Sequence, residues 1–262
     1  MVEDAWAVGG DYEPYVGRWS RHVASEFLRW VTAPAGLTWL DVGCGTGALS
    51  EAILDEAAAA SVTGIDPSAG FADFAARRLA DRPATFDVGD ARELPYSRAS
   101  FDVVVSGLVL NFVPDAALAI GEQHRVLRPG GMVAAYVWDY PGMAMMAHFW
   151  AAAEAVDGRT ESLDESRRFA GWDRAGLAER FGAAGFESVE TTEIVIPTVF
   201  RDFDDLWTPF LGGQGAAPSY LASVDDLTRD AIRAELRASV PTGPIELTAR
   251  AWAVRAVRPT SG

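Results

Sequence analysis

Three acidic residues stand at the ends of apolar runs, and glycines crowd the first of them. Asp41 opens DVGCGTGALS, where Gly43, Gly45 and Gly47 permit a tight turn and let a ligand approach the main chain. Asp66 lies in GIDPS and Asp90 in VGDARELP. A carboxylate just ahead of a glycine turn repels a pyrophosphate and suits an ammonium or a sulfonium. A carboxylate at the next strand end can accept both hydroxyls of a ribose, as the acid of dinucleotide folds does. Asp before Pro67 also suits the start of a helix. Asp90 can accept an amino proton of adenine, with the Ala91 N–H nearby, or it can serve the turn chemistry of a Gly-Asp pair.

Strands that end on one edge must position these acids. Residues 37–43, 61–66, 84–90, 101–107 and 132–139 are short apolar runs rich in strand formers. Between them, 46–60, 68–80 and 115–127 read as helices, the last stopped by Pro129-Gly130-Gly131. An earlier helix starts at Ser20 and carries Val23, Phe27, Leu28 and Trp30 on one face. This alternation predicts βαβ units, hence an α/β fold with a parallel sheet covered on both faces. Beyond Tyr140 the pattern loosens into helices over 143–156 and 173–184, a strand ending VETTEIVIPTVF, a mixed aromatic stretch over 200–241, and an alternating strand over 245–257. No repeat or low-complexity linker divides the 262 residues, so one domain with insertions is expected.

Composition removes other chemistries. Against 37 acidic residues there are 22 basic ones, a formal charge of −15, which disfavours nucleic-acid backbones and anionic lipid as partners. Every basic residue is arginine, so lysine Schiff bases and the lysine of a P-loop are excluded. The single cysteine, Cys44, forms no internal disulfide, and no Cys/His cluster has zinc spacing; no metal is expected. No apolar run approaches the roughly 20 residues that cross a bilayer. The acidic N-terminal stretch is unlike a secretory signal, so a cytoplasmic location without membrane partners is expected.

Taken together, DVGCGTGALS, GIDPS, VGDARELP, FDVVVSGLVLNF and LRPGGMVAAYVWD resemble, in order and spacing, the class I S-adenosylmethionine-dependent methyltransferases of the small-molecule, UbiE-like type. The resemblance covers about residues 11–139. It implies a Rossmann-like, seven-stranded, mostly parallel sheet with an antiparallel last strand at 245–257, and a helical and aromatic insertion before it. The parts would be an N-terminal lid at 11–33, a cofactor-binding core at 37–139 and the insertion at 200–241. It also implies S-adenosyl-L-methionine as cofactor and S-adenosyl-L-homocysteine as product. Gly43, Cys44 and Gly45 would lie under the methionine part, with Asp41 beside them. Asp66 and Pro67 would lie at the ribose, Asp90 and Ala91 at the adenine, and Ser106 and Gly107 beside the methionyl group. DYEPYVGRWSR resembles the family's lid, with Arg18 placed for the cofactor carboxylate. Asn111 departs from the pattern, since many relatives carry histidine there. His124 and His148 read as surface or packing residues.

A sulfonium methyl is already activated, so alignment and water exclusion are the main demands, worth ~7–11 kcal/mol at best. A general base adds about 10²–10⁴-fold where the acceptor is weakly acidic. Asp139, Tyr140 and Asn111 are the candidate acceptor-side groups, with ordinary loop polarity the alternative for the first two. Trp138, Phe203, Trp207, Phe210 and Tyr220 could line an apolar pocket for a small, partly apolar acceptor, hinged at Gly212-Gly213. A packed cap or a homodimer contact explains the same aromatics. The glycine loop and Asp66 alone would also allow a nicotinamide-dependent oxidoreductase, and a non-catalytic cofactor-binding or scaffold protein is the third reading.

Overall fold

The computed structural model describes residues 18–158, 160, 163–212 and 215–260. Residues 11–17 of the lid motif and Gly213 lie outside them. The chain forms two compact units, one of Ser20–Val137, Gly171–Ile194 and Ala251–Gly262, the other of Met1–Trp19, Trp138–Ala170 and Val195–Arg250.

In the first unit the apolar runs become β1 (Thr38–Val42), β2 (Ser61–Asp66), β3 (Ala84–Val88), β4 (Phe101–Gly107) and β5 (Leu127–Trp138). Helix α1 (Arg18–Val31) precedes them, and α2 (Ala48–Glu56), α3 (Ala69–Arg78) and α4 (Ala116–Val126) alternate with them. β1 pairs in parallel with β2 and β4, β2 with β3, and β4 with β5. With β6 (Glu187–Phe200) and β7 (Ile245–Val257) they make one seven-stranded sheet in the order β3-β2-β1-β4-β5-β7-β6, its last strand antiparallel. Strands such as β4, whose Val103, Val104 and Val105 are all buried, need cover on both faces. Leu40, Ile65, Val104, Ile120, Leu127 and Phe181 of α7 (Arg174–Ala183) meet in one core.

Local signals set the helix ends. Ser68 caps α3 by accepting from the Phe71 N–H at 3.4 Å, so Asp66 is not consumed as the cap. Asp115 caps α4 through the Leu118 N–H at 3.0 Å. Several boundaries differ from the sequence expectation: α1 starts at Arg18, so Ser20 lies inside it, and α2 ends at Glu56 instead of 60. β3 stops at Val88, leaving Gly89 and Asp90 in a loop. β5 starts at Leu127 rather than at 132: Phe101 pairs with Leu127 and Val103 with Met132, so 128–131 bulge out of the ladder. Gly130 there has φ +78°, and a Cβ on Gly131 would lie 2.8 Å from the Asp102 carbonyl oxygen. The Pro-Gly-Gly signal marks a bulge inside a strand, not a gap before one.

In the second unit the stretch 200–241 resolves into α8 (Phe203–Trp207), α9 (Ala216–Ser223) and α10 (Asp226–Ala238); α10 packs along α5 (Ala144–Asp157), and α6 (Glu165–Arg168) is a single turn. Phe149 stacks on Phe210 at 4.4 Å, and Trp207 lies 6.3 Å from Phe203 and 6.2 Å from Phe210. Among the described residues no helix is long and apolar enough to cross a membrane.

Candidate cofactor site

The site is built where β1 and β2 end. The Gly43 and Cys44 N–H groups both donate to the Ile65 carbonyl, at 2.8 and 3.1 Å, and draw the glycine turn across the end of β2. Gly43 has φ +75°, and a Cβ there would sit 2.6 Å from Val109. Gly45, at φ +51°, has nothing within 4 Å of its would-be Cβ, so this side of the turn is open to a ligand. The Gly45 N–H donates to Asp66 Oδ2 at 3.0 Å, and the Ser68 N–H to Oδ1 at 2.9 Å. Asp66 is thus buried and oriented by two main-chain donors, with lone pairs left on both oxygens. Burial pushes its pKa up, and the two hydrogen bonds oppose that. Pro67 follows directly as the bend into α3.

Asp41 is 1% exposed. Its Oδ2 accepts the Ser50 hydroxyl at 2.7 Å, while Oδ1 has no partner among the described residues. Burial pushes its pKa up to about 7; the Ser50 hydroxyl opposes the rise and the Asp66 charge adds to it. A buried carboxylate oxygen without a donor costs free energy until something positive faces it. An ammonium or sulfonium meets that need, whereas a pyrophosphate worsens it. Cys44 packs over Gly64, where a Cβ would lie 2.9 Å from its Sγ and 2.5 Å from the Phe86 ring. Burial, then the Asp41 and Asp66 charges, push the thiol pKa up, so it stays protonated and unreactive. Cys44→Ala should therefore keep catalytic turnover within a few-fold. A loss beyond about 100-fold in steady-state assays, ~2.7 kcal/mol of barrier, would contradict that role.

Asp90 sits just past β3, its carboxylate gripped by Arg92: Nη2 to Oδ2 at 2.6 Å, Nε to Oδ1 at 3.0 Å, and the Arg92 N–H to Oδ1 at 2.8 Å. These bonds hold its pKa below the usual carboxylate range. The turn thus uses the carboxylate that the sequence reading offers to adenine, with Ala91 next to it. Ser106 donates to the Val42 carbonyl at 3.0 Å, tying β4 to β1. A Cβ on Gly107 would lie 2.7 Å from the Tyr136 hydroxyl, so Gly107 makes room for that ring, which packs on Phe27 at 4.6 Å. Ser106 and Gly107 shape the sheet end here. Leu108 follows with φ +62°, a strained conformation for leucine, and leads into the turn Leu110–Phe112. Asn111 in that turn is buried, and its Oδ1 has no partner among the described residues.

The remaining sequence candidates lie in the second unit. Arg18 pairs with Asp205 at 3.1 Å, and its guanidinium lies 4.5 Å from the Trp19 ring and 4.6 Å from the Phe200 ring. Asp139 is buried in an ion pair with Arg250, and its N–H donates to the Arg250 carbonyl at 2.9 Å. Tyr140 stacks on Phe169 at 5.1 Å and lines a cavity of about 450 Å³ with Met146, Trp150, Glu154 and Asp164. Trp138, Phe203, Trp207, Phe210 and Tyr220 are buried, and the Tyr220 hydroxyl donates to Asp157 at 3.0 Å. Sequence reasoning missed Ser50, which sets the orientation of Asp41 across nine positions of chain and leaves no pattern to read. It also missed Glu122 and Arg125, whose spacing as an i,i+3 pair on α4 was a usable signal.

Residues 40–135 match the family described as Methyltransferase domain. Over 121 residues the chain is 39% identical to a demethylmenaquinone methyltransferase of Staphylococcus aureus, a match that covers 44% of this chain and 49% of that protein. The chain spans about half the length of the curated relatives it matches. A chain from the complex of the Haloferax volcanii Trm112 methyltransferase activator with a methyltransferase superposes with a TM-score of 0.61 at 24% identity, over 98% of this chain and 97% of that one. Phosphoethanolamine N-methyltransferase 2 of Haemonchus contortus, solved with phosphomonomethylethanolamine and S-adenosylhomocysteine, gives 0.59 at 17% identity, over 95% of this chain and 57% of that one. At such identities the structural likeness speaks for the fold. The stretch that holds Asp41, Asp66 and Asp90 thus lies within the residues, 40–135, that match a methyltransferase domain.

Proposed function

We propose that this protein transfers a methyl group from S-adenosyl-L-methionine to a small, partly apolar acceptor. The observation that carries the reading is the pair of buried acids at adjacent strand ends, Asp41 with an oxygen lacking a donor and Asp66 held by two N–H groups. Their chemistry fits a nucleoside that carries positive charge. When bound, the cofactor supplies a methyl group already activated by its sulfonium. Asp66 accepts the ribose hydroxyls, Asp41 faces the ammonium or the sulfonium, and Asp90 with Ala91 meets the adenine. The chain's own contribution is alignment and exclusion of water. Asp139 is tied to Arg250, and the Asn111 amide cannot take a proton, so neither supports a general base.

The names of the matched curated relatives, demethylmenaquinone methyltransferases, support an acceptor of quinone-like character. The charge of −15 supports a small molecule over a nucleic acid, and we place the enzyme in the cytoplasm. A nicotinamide cofactor is disfavoured by Asp41, whose carboxylate would oppose a pyrophosphate. Calorimetric titration with S-adenosylhomocysteine tests the assignment. Asp66→Ala should weaken binding by about 10–100-fold, the value of hydrogen bonds to a charged group. Unchanged affinity in a folded variant would sink the ribose role, and binding of NADH in place of S-adenosylhomocysteine would sink the methyl-transfer reading.

A further inference from the structure

We propose that Glu122 and Arg125 are positioning residues: from helix α4 they clamp the loop 90–97 and thereby set the site's selectivity for adenine. The proposal rests on Asp90 and Ala91 being the adenine contacts.

Loop 90–97 has no strand or helix to satisfy its main chain, so its hydrogen bonds must go elsewhere. At its start the Glu93 N–H donates to the Asp90 carbonyl at 3.1 Å. Further along, the loop is held from α4. Glu122 Oε2 accepts the Leu94 N–H at 2.9 Å. Arg125 donates from Nη2 to the Leu94 carbonyl at 2.8 Å and from Nη1 to the Tyr96 carbonyl at 2.6 Å. The two side chains also bind each other, Nε to Oε1 at 2.6 Å and Nη2 to Oε2 at 2.7 Å. One planar guanidinium thus serves two carbonyls and a carboxylate, a geometry that a lysine ammonium does not reproduce.

Leu94 is buried in the core, and Tyr96 lies edge-on to Phe101 at 5.1 Å with its hydroxyl on Asp87 at 2.8 Å. Apolar packing already anchors those two side chains. The clamp adds fixed main-chain positions at 94 and 96, which leaves 89–93 as the short span between the end of β3 and the first clamped residue. Asp90 and Ala91 sit in that span, and Arg92 aims the Asp90 carboxylate. A hydrogen bond weakens as its distance and angle depart from the ideal, so displacement of the Asp90 carboxylate is expected to be felt at the adenine.

The test titrates the full chain with S-adenosylhomocysteine and with S-inosylhomocysteine, in which a carbonyl oxygen replaces the adenine amino group. The wild type should prefer the adenine ligand by about tenfold or more, as a hydrogen bond to a charged acceptor provides. Arg125→Lys should shrink that preference to within about threefold, through loss of S-adenosylhomocysteine affinity with the inosine ligand nearly unchanged. Parallel loss of both affinities, or a lower melting temperature with the preference intact, would overturn the clamp's role. Should Arg125→Lys not fold, Glu122→Gln decides: it keeps an acceptor for the Leu94 N–H but loosens Arg125. A reduced preference supports the proposal, and a preserved one overturns it. A wild type that binds both ligands equally overturns the adenine contact and the clamp with it. A wild type that binds neither overturns the methyl-transfer reading itself.

Discussion

Asp41→Asn is expected to stabilise the ligand-free protein at pH 8 while weakening its hold on S-adenosylmethionine. The native pKa of Asp41 is about 7, against 3.8 for an ordinary aspartate. Below 3.8 the native and unfolded states both carry the proton. Between 3.8 and 7 the native state keeps a proton that the unfolded chain has lost, so stability falls as pH rises. Above 7 the full cost of the buried charge is present. At 1.36 kcal/mol per pKa unit this cost is on the order of 4 kcal/mol, and asparagine removes it. A cationic cofactor reverses the balance, because it favours the ionised carboxylate. Wild-type affinity should therefore rise between pH 6 and pH 8, and the variant's should stay flat. If the rise appears with both S-adenosylmethionine and S-adenosylhomocysteine, Asp41 faces the ammonium; if only with the former, it faces the sulfonium. Melting curves of both proteins at pH 5 and pH 8, with parallel titrations, give the answer. A variant no more stable than wild type at pH 8 would refute the buried-charge account.

Phe210→Ala is expected to cost about 3–5 kcal/mol of stability, the usual range for removing a large core aromatic. Phe210 is fully buried, stacked on Phe149 and flanked by Trp207. Urea unfolding of both proteins measures the loss. Affinity for S-adenosylhomocysteine, corrected for the folded fraction, should be unchanged. A loss under about 1 kcal/mol together with a raised acceptor KM would return Phe210 to the acceptor pocket.

The difference between these two residues is also the difference in what the sequence made readable. The strand–turn–helix pattern around Asp41 is local, so its placement at a strand end could be read directly. The severity of its burial could not, because that depends on where α2 lays Ser50. The grip of Arg92 on Asp90 lies within two residues and was open to inspection. By contrast, Asp139 with Arg250 and Arg18 with Asp205 are separated by 111 and 187 positions, and no spacing rule connects them. The aromatic stretch was legible as apolar. Composition is the same whether such rings face a ligand or one another, so its role needed the packing. The β5 boundary failed for a different reason: Pro-Gly-Gly is a sound signal for a helix stop and an equally sound one for a bulge.

The strand order carries a consequence for the order of synthesis. β7 is made after the other six strands of the sheet yet lies between β5 and β6. Until residues 245–257 leave the ribosome, β6 has no hydrogen-bonding neighbour at all, and β5 is left as a bare sheet edge. Exposed edges of this kind invite pairing with other chains. A nascent chain stalled before Ile245 thus carries a bare β5 edge and an unpaired β6, each a docking rail for aggregation. Arrival of a single alternating strand covers the β5 edge and pairs β6 at once, so β7 acts as the sheet's keystone.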